Sequence, residues 1–157
     1  MIAIIPLAIL GAIAKDEVTS LPGWTGPLPS KHYSGYLPVG TTSGSPGFIH
    51  YWLILSERSP ATDPLVYWTN GGPGGSGISA GLLTEMGQWH LNENSAYNGS
   101  MPQLQYNKYN WAQAANTLYV SQPKGVGFSY CTGSGSCQNT DETTAQDTYN
   151  AAPSDCS

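Results

Sequence analysis

The sequence predicts an α/β fold in which a mixed, incomplete sheet carries crossover helices. Three observations carry that expectation. Two strand-like segments near the start are separated by a Gly/Ser/Thr-rich connection, as in a hairpin. A third strand pattern then leads through a glycine-rich turn into helical spacing and on to a fourth strand, the order of a parallel crossover. Only about four strands and two helices are visible, so the sheet reads as unfinished.

Taken in order, residues 1–14 (MIAIIPLAILGAIA) form one apolar run ending in Ala12-Ile13-Ala14. Small residues at Ala12 and Ala14 fit a signal-peptidase site, so cleavage is expected before Lys15, with 15–157 as the mature part. The run is short of the roughly 20 apolar residues that span a bilayer. Residues 21–29 are proline-rich and too broken for regular structure. Segment 33–39 alternates enough for a short strand, and 48–55 (FIHYWLIL) is the best strand in the chain, dense in β-branched and aromatic residues. Segment 64–69 (PLVYWT) reads as a short buried strand. Beyond the glycine-rich stretch 70–77, Ile78, Leu82, Leu83 and Met86 recur at helical spacing up to Gly87. The polar stretch 92–109, with Pro102 inside, should form a surface excursion. It holds the sequon Asn98-Gly99-Ser100, which makes Asn98 the expected glycosylation site. Thr117-Leu118-Tyr119-Val120 gives another strand, closed by Pro123. A last helix starts after Thr140, with Asp141 and Glu142 in its first turn, and ends by Pro153.

Composition narrows the function. The 157 residues are 39% hydrophobic and only 10% charged, and polarity comes instead from Gly, Ser, Thr, Asn and ten tyrosines. Such a surface suits an extracellular or lumenal protein, well below the usual charged quarter. Ten acidic and five basic residues give a net charge of −5, and Lys15, Lys31, Arg58, Lys108 and Lys124 are scattered. No basic patch exists to neutralise phosphates, which argues against nucleic-acid binding and against a polybasic membrane signal. Cys131 and Cys137 could close a short disulfide loop in an oxidising compartment, leaving Cys156 without a partner in the chain. A zinc site is a poor fit for three thiols without a nearby His, so no metal is expected.

The chemistry concentrates in Trp68-Thr69-Asn70-Gly71-Gly72-Pro73-Gly74-Gly75-Ser76-Gly77. Without Cβ atoms, Gly71 and Gly72 let successive N–H groups point into one concavity, which suits an oxyanion or a carboxylate. Asn70 adds a side-chain donor at the rim. No Gly-Lys-Ser/Thr follows and no G-x-G-x-x-G is present, which excludes a phosphate loop. Gly77-Ile78-Ser79-Ala80-Gly81 matches the G-x-S-x-G nucleophile elbow, but an elbow needs its serine immediately after a strand. Ser79 instead falls inside the start of a helix. His32, His50 and His90 read as structural; only His90 follows Ser79 in the chain, the order a triad histidine keeps in this architecture.

The wider pattern resembles the serine carboxypeptidase family. The resemblance rests on Asn70-Gly71-Gly72-Pro73-Gly74, preceded by Tyr67-Trp68 and followed by Glu85-Met86-Gly87. Further blocks agree in order: Leu21-Pro22-Gly23 with Tyr33-Ser34-Gly35-Tyr36, Tyr106-Asn107 with Asn110-Trp111, Gln122-Pro123-Lys124-Gly125-Val126-Gly127-Phe128-Ser129-Tyr130, and Thr144-Ala145-Gln146-Asp147-Thr148-Tyr149. They run over about 18–151. The resemblance implies the N-terminal part of an α/β-hydrolase sheet and, in the parent, release of C-terminal residues from peptides through an acyl-enzyme without a cofactor. It also implies that the Gly72 N–H is one of two oxyanion-hole donors. Asn70 and the Gly71 N–H would hold the substrate's free carboxylate, braced by Trp68 and Glu85. A protonated Glu85 can share hydrogen bonds with that carboxylate at acid pH.

The sequence departs from the family twice. Gly75-Ser76-Gly77 stands where the family has Cys-Ser, which removes a disulfide there. The nucleophile motif Gly-Glu-Ser-Tyr-Ala does not occur, so the triad is expected beyond Ser157 and this chain alone should be inactive. Peptide or protein C-termini are the implied substrates, in an extracellular, vacuolar or lysosomal setting with no membrane attachment after signal cleavage. Two alternatives stay open: a secreted non-catalytic relative, and an acyltransferase on the same scaffold.

Overall fold

Strand-forming sequence and burial coincide closely in the computed structural model, which describes residues 14–40, 46–72, 74–93, 95, 101–132 and 137–152. The expected signal segment (except Ala14), the Asn98 sequon, Pro73 and Cys156 lie outside the described residues. The strands are β1 (Glu17–Val18), β2 (His32–Val39), β3 (Gly47–Ile54), β4 (Leu65–Thr69), β5 (Trp89–His90), β6 (Gln105–Tyr106), β7 (Asn116–Val120) and β8 (Tyr130–Cys131). The main sheet has the order β1-β2-β3-β7-β4, with β8 added on β3. β2 and β3 form the expected antiparallel hairpin, His32 opposite Ile54 and Val39 opposite Gly47. β4 and β7 are parallel, Leu65 opposite Asn116 and Thr69 opposite Val120. The sheet is therefore mixed.

Side chains alternate across a strand, so the sheet sorts its residues by parity. One face gathers Tyr33, Val39, Ile49, Tyr51, Leu53, Leu55, Leu118 and Val120, and receives Ala151 of helix α1 (Asp141–Ala151). The other gathers Ile54 and Tyr119 with Ile78 and Leu82 from a second helix, Gly77–Glu85. Each fully buried aliphatic side chain contributes about 1.5–3 kcal/mol. Helices thus pack on opposite faces of one sheet, the three-layer arrangement of α/β proteins.

Helix α1 begins where expected. Thr140 caps it, accepting from the Thr143 N–H at 3.2 Å, while Thr143 Oγ1 accepts from the Thr140 N–H at 2.8 Å. The helix Gly77–Glu85 departs from the regular one expected: it is a π helix, with the Met86 N–H donating to the Gly81 carbonyl five residues back at 2.9 Å. Gly77 and Gly81 within one turn leave the backbone free to widen. Segment 64–69 was expected to be buried, yet every residue of β4 is half-buried. Among the described residues, β4 pairs only with β7, so one edge stays open. The excursion 92–109 also holds short structure, because β6 folds back onto β5 with Trp89 opposite Tyr106.

Candidate active site

Parallel strands β4 and β7 end together, Thr69 beside Val120, and the glycine-rich turn leaves the sheet at that point. Crevices at the carboxyl ends of parallel strands are where open α/β sheets bind ligands. Here the ends of Asn70's side-chain amide are not interchangeable. Its Oδ1 accepts from Trp68 Nε1 at 2.9 Å and from the Gly81 N–H at 3.2 Å. That leaves Nδ2 as an outward donor, 3.4 Å from Glu85 Oε1 on the exposed last residue of the π helix. The structure therefore brings Trp68, Asn70 and Glu85 together in one hydrogen-bonded row.

Gly71 and Gly72 are both exposed, and among the described residues no acceptor lies on either N–H. Gly72 has φ +119° and Gly74 φ +114°, in the left-handed region that favours glycine. The Gly75 N–H closes the turn onto the Gly71 carbonyl at 3.3 Å. A Cβ at Gly75 would fall 2.6 Å from that same oxygen, so this turn admits no side chain where the family pattern has Cys. Ser76 then caps the π helix, accepting from the Ile78 N–H at 3.2 Å, and hydrogen-bonds the Ser121 hydroxyl at 2.8 Å.

Ser79 is an exposed residue inside the π helix, and β4 ends ten residues earlier in the chain, at Thr69. The strand-to-serine turn of an elbow is therefore missing at Ser79. The histidines are engaged elsewhere. His32 Nδ1 accepts from Trp52 Nε1 at 3.0 Å, which makes Nε2–H the donor to Gln88 Oε1 at 2.7 Å; burial lowers its pKa to about 4. His50 bonds Ser34 Oγ at 3.0 Å and is likewise lowered by burial, while His90 Nε2 donates to the Glu85 carbonyl at 3.0 Å.

Gly81 is a site residue that sequence reading missed. A Cβ there would sit 2.5 Å from Trp68 Nε1 and 3.1 Å from Asn70 Oδ1. Its only sequence signal was its place in the misleading G-x-S-x-G. Cys131 and Cys137 are joined by a disulfide, Cα–Cα 5.5 Å, away from this row. Among the described residues no cluster of three or more His, Cys, Asp or Glu could hold a metal, and no helix is long and apolar enough to cross a membrane.

A mixed sheet with a helix on each face, and a donor-lined glycine turn at the carboxyl ends of its parallel strands, define part of an α/β-hydrolase-type domain. The chain belongs to the serine carboxypeptidase family, whose family model matches residues 22–152. It is 45% identical over 125 residues to serine carboxypeptidase ctsa-4.1 of Caenorhabditis elegans, covering 78% of this chain and 24% of that protein. It is 40% identical over 133 residues to serine carboxypeptidase 1 of Hordeum vulgare, covering 85% and 26%, and 43% identical over 113 residues to serine carboxypeptidase-like 20 of Arabidopsis thaliana, covering 72% and 22%. The chain thus spans about a quarter of the length of the curated relatives it matches.

Proposed function

We propose that the chain is the N-terminal part of a secreted serine carboxypeptidase, carrying the substrate-carboxylate site and one oxyanion donor but not the triad. The observation that carries this reading is the fixed orientation of Asn70, whose Nδ2 faces outward beside the open Gly71 and Gly72 N–H groups. Neutral donors of this kind recognise a carboxylate through charge-assisted hydrogen bonds. The Gly72 N–H is the oxyanion donor, the Gly71 N–H and Asn70 hold the carboxylate, and Trp68 and Glu85 brace the row. This chain thus supplies donors for the substrate carboxylate and the oxyanion rather than a nucleophile, base or acid.

The test is hydrolysis of an N-blocked dipeptide by the whole protein. Release of the C-terminal residue should be at least about tenfold faster from the free acid than from its amide, the worth of one charge-assisted hydrogen bond. Equal rates would remove the carboxylate site from the account.

Export belongs to the same proposal, from the short apolar run ending in Ala12-Ile13-Ala14 and the sequon at Asn98. Mass spectrometry of secreted material should show a start at Lys15 and a glycan on Asn98. A start at Met1 would contradict the cleavage.

A further inference from the structure

We propose that Gln122 is a positioning residue that sets the direction of the Gly71 N–H, a role that rests on the carboxylate-reading function proposed for the turn. Gln122 lies two residues beyond β7, and its side-chain amide sits between β4 and helix α1. Its Oε1 accepts from the Tyr67 hydroxyl at 3.2 Å. The same oxygen lies 2.9 Å from Thr148 Oγ1, which shares its hydrogen with the Thr144 carbonyl at 2.7 Å. Burial pushes the Tyr67 hydroxyl up to about 12, so Tyr67 stays a donor throughout the working range. Two hydroxyls on Oε1 decide which end of the amide is which. Nε2 must then face Thr69, and it donates to Thr69 Oγ1 at 3.3 Å.

The relay continues from there. Receiving a hydrogen from Gln122, the Thr69 hydroxyl directs its own to the Asn70 carbonyl at 3.3 Å. That carbonyl and the Gly71 N–H belong to one planar peptide unit, so anchoring the oxygen fixes where the N–H points. With no Cβ at Gly71, the plane between Asn70 and Gly71 would otherwise rotate at little cost on that side. Helix α1, through Thr148, is thereby tied to a single donor of the site without touching it.

Gly71 is where the relay can be read. The whole protein, labelled with nitrogen-15 at glycine, is titrated with N-acetyl-phenylalanine and with its C-terminal amide while the Gly71 signal is followed. The acid should bind and move Gly71, and the amide should not. Thr69→Val removes the relay hydroxyl, and Gln122→Glu keeps an acceptor for Tyr67 but loses the donor to Thr69. Both should weaken acid binding about tenfold, whereas Thr69→Ser, which keeps the hydroxyl, should bind like the parent. Urea unfolding of each variant separates lost affinity from lost fold, and if Gln122→Glu does not fold, Thr69→Val against Thr69→Ser decides. Undiminished binding by folded Thr69→Val overturns the relay and leaves the carboxylate reading standing. Failure of the unsubstituted whole protein to prefer the acid overturns that reading, and the relay with it.

Discussion

Asn70 has an amide whose two ends a half-turn would exchange, and the row around it allows only one of them. Reversal would set an NH2 against the Trp68 indole N–H and the Gly81 N–H, two donors facing a third. Gly81 is therefore held by packing as much as by hydrogen bonding. In an ordinary helix Gly→Ala stabilises by about 1 kcal/mol. Here the added methyl would meet Trp68 Nε1 at 2.5 Å, and overpacking of that kind costs about 1–3 kcal/mol. Gly81→Ala should thus lower the urea midpoint and shift the Trp68 indole signal; an unchanged indole with raised stability would contradict the packing. Ser79→Ala should change neither. Asn70, Gly71 and Gly72 were legible in the sequence because glycines needed for a donor-lined turn crowd together there. Gly81 was not, because only the approach of Trp68 distinguishes it from a helix glycine of no consequence. Glu85 was named only through the family resemblance, because its contact with Asn70 crosses 15 residues of chain from an exposed helix end.

The strands were legible for a different reason: β2, β3, β4 and β7 each carry apolar residues dense enough to be seen without their neighbours. β5 and β6 were missed since two-residue strands gain their pairing from the fold that brings them together, and the polar text of 92–109 says nothing of it. Two contacts between elements make predictions. Lys124, in the loop after β7, is fully buried and meets Asp147 of helix α1 at 2.6 Å. Removing either partner strands a buried charge, so Lys124→Ala or Asp147→Ala should each cost about 3–5 kcal/mol. The paired change Lys124→Met with Asp147→Leu should cost clearly less than either, measured by urea unfolding. His32 ties β2 to Trp52 of β3 and to Gln88 beside β5, and is held neutral by burial. Its folded pKa of about 4 lies below the unfolded 6.5, so the unfolded chain takes up the proton first. Stability should be flat in this group above pH 6.5 and fall by about 3 kcal/mol as the pH drops to 4. His50, lowered in the same direction, adds to the decline. His32→Gln should flatten that part of the profile, and an unchanged slope would show that His32 is not the group responsible.

At the scale of the molecule, β4 pairs only with β7 among the described residues, and its Leu65, Val66, Tyr67 and Trp68 are half-buried, so the sheet presents it as an edge. The sequence of β4 reads as a short buried strand, and its edge position leaves it half-buried instead. An unprotected apolar edge favours pairing with another chain. The isolated 157-residue chain should therefore self-associate in light scattering, and Val66→Lys should suppress it; a strictly monomeric parent chain would contradict this. The same chain should show no turnover of a blocked dipeptide, since Ser79 lacks the turn of a nucleophile, and activity abolished by Ser79→Ala would overturn that assignment. Reading of a substrate carboxylate by Asn70 is tested most directly by kcat/KM of the whole protein with Asn70→Ala on matched peptide acids, peptide amides and esters lacking a free carboxylate. Losing one charge-assisted hydrogen bond should slow the acids about ten- to hundredfold while leaving amides and esters nearly unchanged. Equal losses on all three would mean that Asn70 only shapes the turn.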